Sequence, residues 1–187
     1  MPVQIAAATH SFSDPTGLLM DCHRRIESFI TTLERVAAVI DRPPSEEVRQ
    51  ALETSLRYFR DAAPKHTADE EVSLFPRMRR LSDPDARAVM AELEKLEEEH
   101  RCAEPLHARV DWLGNQYLLN GVLNDIQIEE FRSSVARLNS MYRKHIHVED
   151  TLVFPLATRT LSPHDKSAIA SEMEERRGKI AGTARQQ

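Results

Sequence analysis

Two stretches of this chain carry the same ligand-like pattern. His66-Thr-Ala-Asp-Glu70-Glu71-Val-Ser-Leu74-Phe75-Pro76 aligns without gaps to His145-Ile-His-Val-Glu149-Asp150-Thr-Leu-Val153-Phe154-Pro155. The shared element is H-x3-E-[ED]-x2-[LV]-F-P, and an imidazole and a carboxylate at i and i+4 share one face of a helix. Each copy follows a lone histidine at nearly the same distance, His23 in the first half and His100 in the second. Both lone histidines are followed at i+4 by a glutamate, Glu27 and Glu104. An isolated H-x3-E says little, because i,i+4 ion pairs are common on exposed helices. The repeat of the whole element, with a histidine ahead of each copy, is far more specific. Imidazole and carboxylate together are donors for iron, manganese or zinc.

Helices must position these groups, and the sequence supplies them. Of 187 residues, 41% are hydrophobic, 29% charged and only 5% aromatic, with 5 Gly, a balance that favours helix over sheet. From Leu18 onward apolar residues recur with helical period. A first helix is expected over 15–40, with Leu19, Ile26, Ile30, Leu33, Ala37 and Ile40 on one stripe. A second over 46–81 starts at the N-cap Ser45 and is kinked or shortened by Pro64 and Pro76. A third over 84–118 is interrupted by Pro105 and closed by Asn120-Gly121. A fourth over 125–160 carries Phe131, Val135, Leu138 and Tyr142, and Ser162-Pro163 caps a short charged fifth helix. Residues 1–17 read as an arm, 18–160 as the helical body and 161–187 as a C-terminal helix and fraying tail. Four long helices with short connections predict an all-α, up-down-up-down four-helix bundle with a short extra C-terminal helix.

Each apolar stripe runs into the histidines. His23 falls between Leu19 and Ile26; Leu52, Leu56, Phe59 and Ala63 lead to His66 and Glu70; Val89, Leu93 and Leu96 lead to His100; Phe131 to Tyr142 lead to His145 and Glu149. Measured from the turns between helices, facing histidines stand at equal heights to within about 3 Å at 1.5 Å per residue. A single histidine on a core stripe reads as a satisfied structural residue, but four at one height with two glutamates read as metal ligands. Two unpaired buried carboxylates would cost several kcal/mol each or be forced to protonate, and a cation removes that cost. Four imidazoles and two bridging glutamates suit two metals, five-coordinate with a solvent bridge. Glu27 and Glu104 would close the site if bound and leave it open if not.

In these residues the chain resembles the hemerythrin-like (HHE cation-binding) family, in its H…HxxxE…H…HxxxE arrangement, over roughly residues 18–160. The resemblance implies a four-helix bundle around a non-haem di-iron centre, with manganese as the other candidate. It makes His23, His66, His100 and His145 terminal ligands, and Glu70 and Glu149 bridging carboxylates. Two features depart from the oxygen-carrying members. Those have HxxxH on the third helix, where His100 is here followed by Glu104. Their last ligand is an Asp at i+5, so Asp150 competes with Glu149, although the internal repeat favours Glu149. The Cys-rich N-terminal module of the family's iron–sulfur-repair members is absent from this sequence.

The remaining candidates are weaker. His107, one heptad past His100, is either a replacement ligand or too far away, at about 10.5 Å along the axis. Tyr142 either hydrogen-bonds near the site or is plain core. Cys22 and Cys102 read as inert or redox-active thiols. His10, His147 and His164 read as surface residues, and Glu97-Glu98-Glu99 and the C-terminal charges as solvated faces. A net charge of -5 argues against nucleic-acid binding, and no apolar run approaches the ~20 residues of a membrane span. Residues 1–17 lack the basic start and apolar stretch of a signal peptide, so a cytoplasmic location is expected. The favoured reading is a di-iron protein that binds or processes a small oxidant such as oxygen, peroxide or nitric oxide, with peroxide-decomposing or scavenging activity conceivable. The rivals are a non-catalytic iron-responsive or iron-holding module with a closed site, and a metal-free interaction bundle.

Overall fold

The computed structural model describes residues 9–82 and 84–178, in which every regular element is a helix. The elements are α1 (Pro15–Ala37), α2 (Glu46–Asp61), α3 (Ala63–Ala68), a π-helical turn π1 (Asp69–Leu74), α4 (Phe75–Met78), α5 (Pro84–Ala88), α6 (Met90–Asn120), α7 (Asp125–Val148), a second π-helical turn π2 (Glu149–Val153), α8 (Phe154–Thr160) and α9 (Pro163–Arg176). Helix α1 packs on α2 and α7, and α6 packs on α2 and α7, so the four arms close a ring of antiparallel neighbours. This is the expected up-down-up-down bundle, with α9 lying across it against α1 and π1. Of the expected arm and tail, residues 1–8 and 179–187 lie outside the described residues, as does Asp83 of the turn before α5.

The helix ends follow local chemistry. Ser45 accepts a hydrogen bond from the Val48 N–H and Ser162 from the Asp165 N–H. Asn124 and Gln127 form a reciprocal capping box on α7. Gly121 ends α6 at φ 74°, a left-handed position that an L side chain resists.

Three expectations need correction. The arm ends earlier than expected: Pro15 to Gly17 form the first turn of α1, capped by Asp14. Pro105 does not interrupt the third helix; α6 runs through it for 31 residues. An exposed mid-helix proline forfeits one backbone bond, which the packing of α6 tolerates. Replacing Pro105 with Ala should therefore raise stability by about 1–3 kcal/mol. A higher thermal midpoint checks this, and a lower one contradicts it. Finally, the second arm is not simply kinked at Pro76, and the fourth behaves alike at Pro155. Each widens into a π turn at the repeated element, where the Phe75 N–H donates to the Glu70 carbonyl and the Phe154 N–H to the Glu149 carbonyl, five residues back. A proline ring crowds the carbonyl four residues before it, and the widened turn makes room. The Phe-Pro pair of each repeat is thus the device that shapes the turn bearing each glutamate.

Two hydrophobic cores lie along the bundle. One gathers Ile26, Ile30, Leu52, Leu56, Phe59, Leu113, Phe131 and Leu138. The other gathers Leu19, Leu74, Phe75, Leu93, Leu96, Val153, Phe154 and Met173. Each such side chain contributes on the order of 2 kcal/mol on burial. Between the two cores lies a layer of buried polar groups.

Candidate metal centre

That layer is made of His23 on α1, His66 on α3, Glu70 on π1, His100 on α6, His145 on α7 and Glu149 on π2. Their potential ligand atoms form two groups: His23, His66, Glu70 and Glu149, and Glu70, His100, His145 and Glu149. Within each group the atoms lie within 4.8 Å of one another, and Glu70 and Glu149 belong to both. The shortest separations are His23 Nε2 to Glu149 Oε2 at 3.1 Å, His66 Nε2 to Glu70 Oε1 at 3.2 Å and His145 Nε2 to Glu149 Oε2 at 3.2 Å. His100 Nε2 lies 3.5 Å from Glu70 Oε2. Both glutamates are fully buried.

Nevertheless, His23 Nε2, His66 Nδ1, His145 Nε2 and all four carboxylate oxygens of Glu70 and Glu149 make no hydrogen bond. Buried polar atoms are ordinarily paired, and leaving these seven unpaired costs about 1–3 kcal/mol apiece or more. A cation shared between the four oxygens and the two Nε2 atoms would satisfy six of the seven. The donors present therefore fit the group that the sequence implies.

Three of the four imidazoles are held from behind by a carboxylate. His23 Nδ1 lies 2.7 Å from Asp150 Oδ1, His100 Nδ1 2.8 Å from Glu71 Oε1, and His145 Nδ1 2.9 Å from Glu99 Oε2. Ionised carboxylates only accept, so each Nδ1 carries the proton and each Nε2 faces the layer. The two halves of the chain cross-brace: Glu71 of the first repeat orients His100 of the second half, and Asp150 of the second repeat orients His23 of the first. Asp150 thus stands beside His23 and belongs to neither group of potential ligands. Sequence reasoning missed these supporting roles, although the acid at the [ED] position of both repeats was their signal. Glu99, read as part of a solvated face, supports His145, and Glu97 pairs with Arg79 at 2.8 Å. Removing the Asp150 or Glu71 carboxylate should weaken metal binding about 10–100-fold, measured by competition with a chelator; unchanged affinity in both alanine variants would contradict the bracing role.

Without a metal, protons take the place of positive charge. Burial opposes the charged form of His23, yet the Asp150, Glu149 and Glu70 carboxylates outweigh it and raise its pKa well above the ordinary value. Burial likewise opposes His145, but Glu149 and Glu99 raise it to about 10. Burial, reinforced by the neighbouring His23, holds His66 low, and burial with His145 does the same to His100. Burial and the nearby Glu149 push Glu70 up to about 8. Glu149 is the carboxylate that stays ionised: burial disfavours its charge, but His145 and His23 pull it well below the usual range.

The other candidates fall outside the two groups. Glu27 is exposed on α1, and Glu104 is exposed on α6. Neither belongs to either group of potential ligands. His107 also stands apart. Its Nε2 is 2.8 Å from the Tyr142 hydroxyl and its ring stacks on Phe59, and burial lowers its pKa to about 4. Tyr142 thus hydrogen-bonds to His107. Cys22 is buried and Cys102 exposed, and neither is in a disulfide. A cavity of about 280 Å³ opens beside His100 and Glu71, walled by Glu104, His107, Tyr142 and Phe59.

The hemerythrin HHE cation-binding domain family matches residues 14–157. The chain belongs to that family. Among curated proteins, this hemerythrin-like chain is similar to a Haemophilus influenzae protein described as uncharacterized, at 26% identity over 168 residues, covering 89% of this chain and 92% of the relative. The family's cation-binding character agrees with the buried His/Glu layer. No helix among the described residues is long and apolar enough to cross a membrane.

Proposed function

We propose that this hemerythrin-like protein holds a non-haem di-iron centre and binds or processes a small oxidant there: oxygen, peroxide or nitric oxide. His23 and His66 would hold one iron, His100 and His145 the other, and Glu70 and Glu149 would bridge them. The observation that carries this reading is the sharing of two unpaired carboxylates between two histidine pairs, the donor arrangement a dinuclear site needs. Manganese has similar donor preferences and is the alternative metal. Bound iron would supply redox chemistry and coordination positions at which a small ligand could bind.

The protein's own contribution is to position and to exclude. Glu71, Glu99 and Asp150 fix three imidazole rings, and the two apolar cores keep bulk water from the layer. With Glu27 and Glu104 outside the ligand groups, positions facing the His100 side are left to an exogenous ligand, and the adjoining cavity gives a diatomic molecule or peroxide room to reach them. The cavity wall is largely apolar on the Phe59 and Ala63 side, and its charged groups are Glu71, Arg101 and Glu104.

A second reading, an iron-responsive module, draws on a different contact. Asp69 on π1, next to Glu70, is fully buried and is gripped by Arg176 at 2.7 Å and Arg177 at 2.5 Å. Arg176 also binds Ser73 Oγ at 2.6 Å. The C-terminal charges are therefore not merely solvated, as the sequence suggested; they tie the end of α9 to the turn carrying Glu70.

The optical spectrum of the iron-loaded protein separates the readings. For an open site, azide and peroxide should each shift the iron charge-transfer bands of the diferric protein. A spectrum unchanged by either would contradict small-oxidant binding and favour the holding or responsive role.

A further inference from the structure

A second cavity of about 450 Å³, lined from α1, α2, α3 and the segments before α1 and after α9, is not used by the di-iron reading. Arg25, Lys65 and Arg177 line it, and no aspartate or glutamate among the described residues does. In a chain with a net charge of -5, three cations converging on one concavity without an acid in its wall is an uncompensated arrangement. Arg177 is partly neutralised by Asp69. Arg25 and Lys65 are not: Arg25 donates only from Nε, to the Asp21 backbone carbonyl at 3.2 Å, and neither side chain has a carboxylate partner among the ion pairs of the described residues. The rest of the wall is mixed, with His10, Ser11 and Cys22 beside apolar and aromatic side chains. Leu18 and Phe12 contribute to it, Arg177 lies over the Phe12 ring at 6.0 Å from its centroid, and Tyr58 presents its hydroxyl beside Cys22.

We propose that this cavity binds a small organic anion, a phosphate monoester or carboxylate on an aromatic or apolar body. The head would be taken by the Arg25 guanidinium and the Lys65 ammonium, both of which have unused donors. The body would lie against Phe12, Leu18 and Tyr58. The volume is in the range of ordinary small-molecule sites, and charge-assisted hydrogen bonds to an anionic head are stronger than neutral ones. None of the proposed iron ligands lines this cavity, although Cys22 and Lys65 adjoin His23 and His66 in sequence.

Calorimetric titration of the full-length protein, as purified, tests this with phenyl phosphate as the probe. Saturable one-to-one binding is expected, tighter than that of inorganic phosphate, which lacks the ring, and of phenol, which lacks the charge. The double variant Arg25→Gln/Lys65→Gln should bind phenyl phosphate at least about tenfold more weakly, as loss of two charged donors implies. Metal content and thermal midpoint of the variant should match the parent protein, because both side chains lie outside the ligand groups. Phenyl phosphate binding no tighter than phenol, or equal affinity in parent and double variant, would overturn the proposal. Neither outcome depends on whether the metal centre is di-iron.

Discussion

Replacing Glu149 with Ala should take bound iron from two per chain to less than one. The reason is that Glu149 belongs to both groups of potential ligands, and its Oε2 is within 3.2 Å of imidazoles from both halves, His23 and His145. Loss of a terminal ligand would weaken one proposed position, whereas loss of a shared carboxylate would weaken both. His66→Ala, which removes an imidazole from one group only, should abolish stoichiometric loading by a different route, with its partner position the last to empty. The metal-free Glu149→Ala protein should retain its helical circular dichroism. Elemental analysis after iron reconstitution checks the prediction, and two irons per chain in both variants would contradict the ligand assignment.

Metal removal should have the second largest effect. A ligand that binds only the folded state at about 1,000 times its dissociation constant adds roughly 4 kcal/mol of stability, and a chain of this size shifts its midpoint by about 2–4 °C per kcal/mol. Chelation should therefore lower the thermal midpoint by on the order of 10 °C. The metal-free protein should also show a distinctive pH dependence. Glu70, raised to about 8 by burial and Glu149, and His145, raised to about 10, both hold protons in the folded state that the unfolded chain has released. Their stabilising contributions are fully present below the unfolded pKa values and are lost as pH rises through the folded ones. His66 and His100, held low, act in the opposite sense but below about pH 6.5, where unfolded histidine titrates. Between pH 7 and 9 the metal-free protein should lose on the order of 3 kcal/mol, read as a falling urea midpoint. The metal-loaded protein should show a much flatter profile, since the cation occupies the place of those protons. A metal-free midpoint that rises across this window would contradict the electrostatic account of the layer.

Much of this site was legible because two periodicities coincide. Helical spacing put His23, His66, His100 and His145 on core stripes, and equal distance from the turns put them at one height, which are properties of sequence alone. What could not be read were features set by three-dimensional neighbours. Glu71 and Asp150 stand beside the bridging candidates in sequence, yet each turns to the lone histidine of the opposite half. Glu99 sits in an acidic run that looks solvated until α7 brings His145 against it. The π turns are written in the Phe-Pro pairs, but their register follows from the packing of the arms on one another. Pro105 shows the converse case, a strong local breaker overridden by the contacts α6 makes along its length. Glu27 matched its spacing, yet it is exposed on α1 and belongs to neither group of potential ligands. Arg176 and Arg177 lie at the end of a charged helix whose role depends on meeting Asp69.

The most direct test is titration of iron into the metal-free protein under anaerobic conditions, with bound metal counted per chain. The shared carboxylates predict saturation at two equivalents. Saturation at one equivalent, or no stoichiometric uptake, would contradict a dinuclear centre built on Glu70 and Glu149.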